Sequence, residues 1–290
     1  MSRVDCVLAL GNELGEGPIW CERERTLYWV DIKRPALHRY DPATGQSRAW
    51  PMPDLLGSFA IRERGGMLLA LRSGLAGFDP GTGATEDLCH PEAGVTGTRY
   101  NDGKCDRRGR FWVGTMTDPE RLPRGTVYRV DPDLSWHQVL EGVVVPNSIA
   151  WSPDDNVMYF ADTHEGRIRA YAFDAESGRL GAERTLTEAG SAPGKPDGAT
   201  VDEAGCLWNA RYGGGCVVRF TPDGRLDRVV ELPVSQVTAC AFGGTRLDTL
   251  FITTAAQRLT PDQRAREPLA GGLFAVAVGV RGLPEPRFAG

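Results

Sequence analysis

Residues 145–162 read VPNSIAWSPDDNVMYFAD, in which two short apolar runs flank a Ser-Pro-Asp-Asp turn. Ser, Pro and Asp start turns, and the run Val157-Met158-Tyr159-Phe160 that follows is the kind of sequence that fits a half-buried strand, so the segment is a β-hairpin. The same unit recurs. Asp106-Arg107-Arg108-Gly109 precedes Phe111-Trp112-Val113, and Asp202-Glu203-Ala204-Gly205 precedes Leu207-Trp208. When the units are aligned on the residue that opens the first strand, six positions share one phase: Glu16, Ser58, Asn101, Asn147, Asp197 and Thr238. They are separated by 42, 43, 46, 50 and 41 residues, which is close to the length of a four-stranded propeller blade. The spacing predicts an all-β, six-bladed β-propeller with four antiparallel strands per blade, and residues 1–290 forming a single domain. No stretch of about ten or more residues has the 3.6 periodicity that a row of βαβ units would need.

A second set of turns follows the third strands: Asp41-Pro42-Ala43-Thr44-Gly45, Asp79-Pro80-Gly81-Thr82-Gly83, Asp174-Ala175-Glu176-Ser177-Gly178 and Thr221-Pro222-Asp223-Gly224. They lack the ligand order and the closing glutamate of an EF-hand, and read as hairpin turns in which Gly supplies positive φ. The segment from Arg3 to Leu10 reads as a strand ahead of the first blade, and Leu273 to Val278 as a strand of the last. Pairing the two locks the ring and removes a free sheet edge.

The opening residues of the six units line the central channel in such a fold. Glu16, Asn147 and Asp197 then converge and offer two anionic oxygens and one neutral one, with no His or Cys at that phase. Such a set suits one hard divalent cation, Ca²⁺, Mg²⁺ or Mn²⁺, and tolerates Fe²⁺ or Zn²⁺. Three protein ligands leave positions open for water and substrate, as a reactive centre requires. Asn101 is a fourth member of the ring, as an outer ligand or a donor to substrate, and Arg99 is placed to hold a hydroxyl or carbonyl oxygen. Loops after the second strands surround this end of the channel, and two are long, Thr115 to Gly125 and Thr254 to Gly272, as binding loops often are. The histidines lie off the ring phase and no GxSxG elbow is present, so serine-hydrolase chemistry has little support.

The bulk properties narrow the partner. A formal charge of −5, with acids and bases mixed along the chain, gives no basic stripe for nucleic acid. No apolar run approaches the roughly 18 to 20 residues that span a bilayer, and the first residues, MSRVDCVLAL, lack the apolar core of an export signal. Seven scattered cysteines without CxxC spacing read as reduced, mostly buried residues. We expect a cytoplasmic protein acting on a small molecule, with no nucleic-acid or membrane partner. Its oligomeric state is left open, a monomer being compatible.

These residues resemble the gluconolactonase, regucalcin and senescence-marker-protein family of six-bladed propellers, with the bacterial sugar lactonases nearer than the animal members. The resemblance runs through Leu14-Gly15-Glu16-Gly17-Pro18-Ile19-Trp20, Arg99-Tyr100-Asn101-Asp102-Gly103-Lys104, Gly114-Thr115-Met116, Asn147 with Trp151-Ser152-Pro153-Asp154, Pro196-Asp197-Gly198 and Leu269 to Phe274. It implies that Glu16, Asn147 and Asp197 bind one divalent metal, that Asp197 is also the acid/base group, and that Arg99 and Asn101 contact a sugar lactone hydrolysed to its aldonic acid. Some members carry a substrate-contacting glutamate just after the Gly-Thr-Met segment. Here that stretch is Asp118-Pro119-Glu120, which makes Asp118 and Glu120 the candidates for sugar selection. Two alternatives stand beside this one: hydrolysis of another lactone or ester at the same metal site, and a noncatalytic calcium-binding regulator.

Overall fold

Alternating short strands and tight turns build six separate four-stranded antiparallel sheets in the computed structural model, which describes residues 3–290. In five of the sheets the strand order follows the sequence, and the innermost strands of the six blades are Gly15–Cys21, Leu56–Ile61, Thr98–Cys105, Pro146–Trp151, Lys195–Val201 and Val237–Gly243. The sixth sheet is completed from the other end of the chain. Asp5–Leu8 pairs antiparallel with Leu273–Ala277, with Asp5 opposite Ala275, so the ring is locked by its N-terminal strand as expected. The fold is a six-bladed β-propeller.

Large side chains on the second and inner strands fill the space between blades. Trp112 and Trp208 occupy equivalent places in blades three and five, and both, like Trp29 of blade one, are fully buried. Trp112 meets Trp151 of blade four, Trp208 meets Phe242 of blade six, and Trp20 stacks on Phe251 across the closing seam, each pair with ring centroids 5.8 Å apart. Aromatic pairs of this geometry contribute beyond their buried area, which favours one fixed register between neighbouring sheets.

The turns behave as hairpins. Gly45, Gly83 and Gly178 have φ of 72°, 78° and 65°, and each donates its N–H to the carbonyl of the aspartate four residues earlier, Asp41, Asp79 and Asp174. Those carboxylates also accept N–H groups of their own turns, so they serve the backbone. At the first-hairpin turns of blades three and five the aspartate reaches further: Asp106 and Asp202 each accept the indole N–H of the tryptophan six residues on, at 2.9 and 2.8 Å.

The segment after the last strand crosses the face of the ring opposite the long loops. There Gly282 bridges Asp202 of blade five and Phe288, fully buried, bridges Arg62 of blade two. Between them Glu285 lies 3.5 Å from Lys104, so this end of the channel is covered. The one helix among the described residues, Pro261–Arg266, lies in the long loop of blade six and is held by a Thr260/Gln263 capping box. No helix is long and apolar enough to cross a membrane among the described residues.

Candidate metal centre and its rim

Each inner strand loses its register with the second strand at the ring position. The irregularities fall between Glu16 and Ile19, Leu56 and Ser58, Tyr100 and Gly103, Asn147 and Ala150, Pro196 and Ala199, and Val237 and Ala239. A bulge sets two residues of one strand against one of its neighbour and re-aims their side chains. Six bulges at one level therefore point the ring residues at the axis instead of into the flanking blades. Gly17 and Ser148, the second residues of two bulges, have φ of 54° and 61°.

Glu16, Asn147 and Asp197 are all buried, with 8%, 3% and 5% exposure. The Asn147 amide is fixed by its neighbours. Its Nδ2 donates to Thr163 Oγ1 at 2.7 Å, and that hydroxyl donates to the Pro196 carbonyl at 2.7 Å, which turns the Asn147 Oδ1 toward the centre. Ser148 Oγ donates to the Asp197 carbonyl at 2.5 Å, tying blade four to blade five one residue below. Asp197 Oδ1 is enclosed and has no hydrogen-bond partner, while Glu16 takes only the N–H of Gly17, at 3.2 Å. Burial, with the charge of Asp102 adding to it, pushes Glu16 up to about 8. Burial and then the charge of Glu16 raise Asp197 well above the carboxylate range. Two buried carboxylates that repel one another, one with a bare oxygen, beside an oriented amide oxygen, form a donor set that fits a hard dication. Because the third donor is an amide, no group of three His, Cys, Asp or Glu side chains gathers at ligand distance among the described residues.

On one side the centre grades into a polar rim. Asn101 Nδ2 donates to the Pro146 carbonyl at 2.9 Å and to Asn147 Oδ1 at 3.1 Å, and its Oδ1 accepts Arg99 Nη1 at 2.8 Å. Both amide hydrogens are thereby engaged, so Asn101 links Arg99 to the Asn147 donor. Arg99 is buried, binds Asp118 Oδ2 through Nε at 2.7 Å and the Tyr100 carbonyl through Nη1 at 2.9 Å, and keeps Nη2 without a partner among the described residues. Asp118 also accepts Lys33 from blade one. Partial burial works against the Asp118 carboxylate, yet the Lys33 hydrogen bond and the Arg99 guanidinium outweigh it and hold the group at about 2. Glu120 lies exposed farther along the same loop. Of the two residues expected to select the sugar, Asp118 acts by holding Arg99, and Glu120 stands apart from this network.

Asp118→Asn therefore has a defined expected outcome. With its charged partner gone, Arg99 is held less firmly, and we expect KM for a lactone to rise about tenfold while kcat changes little, in keeping with the strength of a charge-assisted hydrogen bond. Steady-state kinetics check this, and a matched fall in kcat with unchanged KM would contradict it.

Four anchoring residues were not singled out from sequence. Asp31, at the end of the second strand of blade one, accepts the N–H groups of Glu13 and Leu14 at 2.9 and 3.0 Å and so sets the approach to Glu16. Asp162 does the same for Val144 and Val145 ahead of Asn147, at 2.7 and 3.0 Å. In blade five Arg211 replaces the carboxylate, donating to the carbonyls of Pro193, Ala192 and Gly194 ahead of Asp197. Burial, offset in part by the charges of Cys216 and Asp197, brings this guanidinium down to about 10. Asp102 is the fourth: it shares the bulge with Asn101, accepts Ile149 N–H at 3.1 Å, and is a third, half-buried carboxylate near the centre. An aspartate at the end of a second strand was a legible signal. Asp102 was hidden because alternation would turn it away from Asn101.

A closed six-bladed ring with a set of buried oxygen donors at one end of its channel, the other end covered, defines a propeller with a single open axial site. The chain belongs to the family described as SMP-30/Gluconolactonase/LRE-like region, which matches residues 14–256. It is 40% identical over 286 residues to the 6-deoxy-6-sulfogluconolactonase of Pseudomonas putida, covering 98% of each chain. It is 37% identical to the pentonolactonase of Haloferax volcanii, covering 94% of each. Among solved structures it resembles a calcium-binding protein, regucalcin, from Agrobacterium tumefaciens with a TM-score of 0.95 and 30% identity, over 99% of this chain and 97% of that one.

Proposed function

We propose that the chain is a metal-dependent sugar lactonase, hydrolysing an aldonolactone to the corresponding aldonic acid. The observation that carries the reading is the burial of Glu16, Asn147 and Asp197 at the same bulge level of the ring, with the Glu16 charge acting on Asp197, Asp197 Oδ1 enclosed without a partner among the described residues, and Arg99 held by Asp118 on the rim. Relatives named as lactonases at 40% and 37% identity over nearly the whole chain support the reaction class. The Agrobacterium tumefaciens relative, described as calcium-binding, supports a divalent ion, with Ca²⁺ the first to test ahead of Mg²⁺, Mn²⁺, Zn²⁺ and Fe²⁺. Seven unpaired cysteines, five of them buried, agree with a reducing, cytoplasmic setting.

A divalent cation held by Glu16, Asn147 and Asp197 would supply polarisation of the lactone carbonyl and a lowered pKa for water. The chain's own groups do the rest. Arg99 Nη2 donates to a hydroxyl or carbonyl oxygen, the remaining lone pair of Asn101 Oδ1 accepts a hydroxyl, and together they fix the ring in one pose, with Asp118, itself bound by Lys33, holding Arg99 still. Asp197, as carboxylate, takes a proton from the water whose oxygen bonds to the carbonyl carbon. It then returns that proton to the ring oxygen as the ester C–O bond breaks, leaving a hydroxy acid. No organic cofactor enters the balance.

The test is a panel of aldonolactones in weak buffer with a pH indicator, the spontaneous ring opening being subtracted. Acid release above that background, lost on treatment with chelator and restored by one added dication, is the expected result. If no lactone in the panel opens faster with protein than without, the lactonase reading is wrong, and tight calcium binding in that same preparation would point to the noncatalytic alternative.

A further inference from the structure

A cavity of about 430 Å³ opens between blades one and two on the face opposite the long loops. Its walls are the first-hairpin turns of both blades, the outer strands of blade one, Ala36–Asp41 and Gln46–Pro51, the Asp79 to Gly81 turn of blade two, and Arg287 from the segment that crosses this face. Trp50 fixes one wall by donating its indole N–H to the Pro80 carbonyl at 3.2 Å. Ile61 and Met67 give the cavity an apolar side. The volume falls within the range of small-molecule pockets, about 300 to 1,000 Å³, and is larger than a bare oxyanion needs.

Five guanidiniums line this cavity, those of Arg23, Arg39, Arg48, Arg62 and Arg287, together with the carboxylates of Glu24 and Asp79. Three of the five are engaged. Glu63, just outside, takes Arg23 at 2.6 Å, and Glu24, which also accepts the Tyr28 hydroxyl, takes Arg39 at 3.4 Å. Arg62 donates Nε to the Gly290 carbonyl at 2.9 Å, and its Nη1 lies over Gly77 beside Glu86. The Asp79 oxygens accept the Gly81 N–H at 2.8 Å and the Thr82 hydroxyl at 2.9 Å of their own turn. With Glu63 and Glu86 counted, five positive groups meet four negative ones, but the pairing is uneven. Among the described residues Arg48 and Arg287 form no ion pair: Arg48 lies over the Trp50 ring, 4.4 Å from its centroid, and Arg287 meets Cys21 Sγ at 3.8 Å. Arg48 also stands directly opposite Arg39 in the strand register. Like charges in that position repel and weaken a sheet, and an oxyanion between Arg48 and Arg287 offsets the repulsion.

We infer that this cavity binds a small organic phosphate, with the phosphate on Arg48 and Arg287 and the organic body against Trp50, Ile61 and Met67. Guanidiniums hold phosphate through paired, charge-assisted hydrogen bonds. A phosphate group, with close to two charges and three free oxygens, serves two guanidiniums from different walls at once, which a single carboxylate does less well. A ligand so held ties the crossing segment to blade one. The site faces away from the axial centre, so the inference goes beyond the lactonase reading and stands or falls without it.

The experiment titrates inorganic phosphate, ribose 5-phosphate and adenosine 5′-monophosphate into the protein by calorimetry and by thermal melting, with ionic strength held constant by NaCl, and repeats both with Arg48→Gln. We expect saturable binding of at least one of the two esters, tighter than that of inorganic phosphate and accompanied by a rise in Tm. In Arg48→Gln the affinity for that ester should fall about tenfold or more, as the loss of a hydrogen bond to a charged group predicts. The ligand-free variant should melt no lower than the parent, because Arg48 is exposed, pairs with no carboxylate and opposes Arg39. Arg287→Gln should weaken binding in the same direction, and Arg48→Gln, being a surface change, keeps the test valid if that variant fails to fold. Three results each overturn the inference: no saturable binding beyond the effect of ionic strength, ester binding undiminished in Arg48→Gln, or inorganic phosphate bound as tightly as both esters. A ligand-free Arg48→Gln that melts well below the parent would show that Arg48 serves the sheet itself, and would overturn it too.

Discussion

Asp197→Asn is expected to lose about 10² to 10⁴ of the parental lactone turnover even at saturating metal, the range in which general acid/base assistance falls. The substitution keeps an oxygen donor of the same size at a buried position whose Oδ1 has no other partner, so the side chain still fits. It removes one of the two negative charges of the donor set, so metal binding weakens as well. The decisive comparison is therefore turnover extrapolated to full metal occupancy, with the affinity measured separately by titration. Asn147→Asp makes the opposite change. It adds charge and keeps the base, and is expected to tighten metal binding while reducing turnover far less. If Asp197→Asn keeps near-parental turnover once metal saturates, Asp197 is a ligand only. Asp102, the third carboxylate near the centre, is then the group to replace next.

The largest effect on stability is expected at a turn far from the reaction. Asp202 is fully buried and accepts the N–H groups of Ala204 and Cys206 at 3.0 Å each, the Trp208 indole at 2.8 Å and Arg219 Nε at 2.7 Å. Asp202→Ala leaves those donors unmet and removes one of the two carboxylates that hold Arg219, which Asp227 alone would retain. Breaking a buried pair in this way costs about 3 to 5 kcal/mol. For a domain of this size that corresponds to a fall of roughly 5 to 15 °C in Tm. Asp174→Ala, at a hairpin turn on the surface, serves as the control and should shift Tm far less. Equal shifts for the two variants would mean that burial of the Asp202 network is not what stabilises the blade.

Both predictions depend on how a strand-level pattern was turned into three-dimensional placement. The blade count, the strand order and the closing pair were legible because each rests on a short-range signal: Asp and Gly at turns, aromatic runs in second strands, and a regular spacing of the units. The candidate ligands were legible for the same reason, since equal phase in a repeat array means equal height in a ring. Arg99 could be flagged for its nearness to Asn101 in sequence. That it is held by Asp118 and Lys33, residues 19 and 85 positions from their partners in this network, could not.

The sequence by itself determined the all-β class, the six blades, the N-terminal lock and the common ring level of Glu16, Asn147 and Asp197, because those follow from local propensity repeated at a fixed period. Tertiary structure alone decided which side chains turn inward at that level, since six bulges override the simple alternation of a strand and bring Asp102 in beside Asn101. It also decided that Asp31, Asp162 and Arg211 would set the approaches to the centre, and that the last residues would cover the far end of the channel. Each of these is a meeting of segments from different blades, fixed by how the sheets pack around the axis, and the spacing of residues along one strand carries no record of that packing.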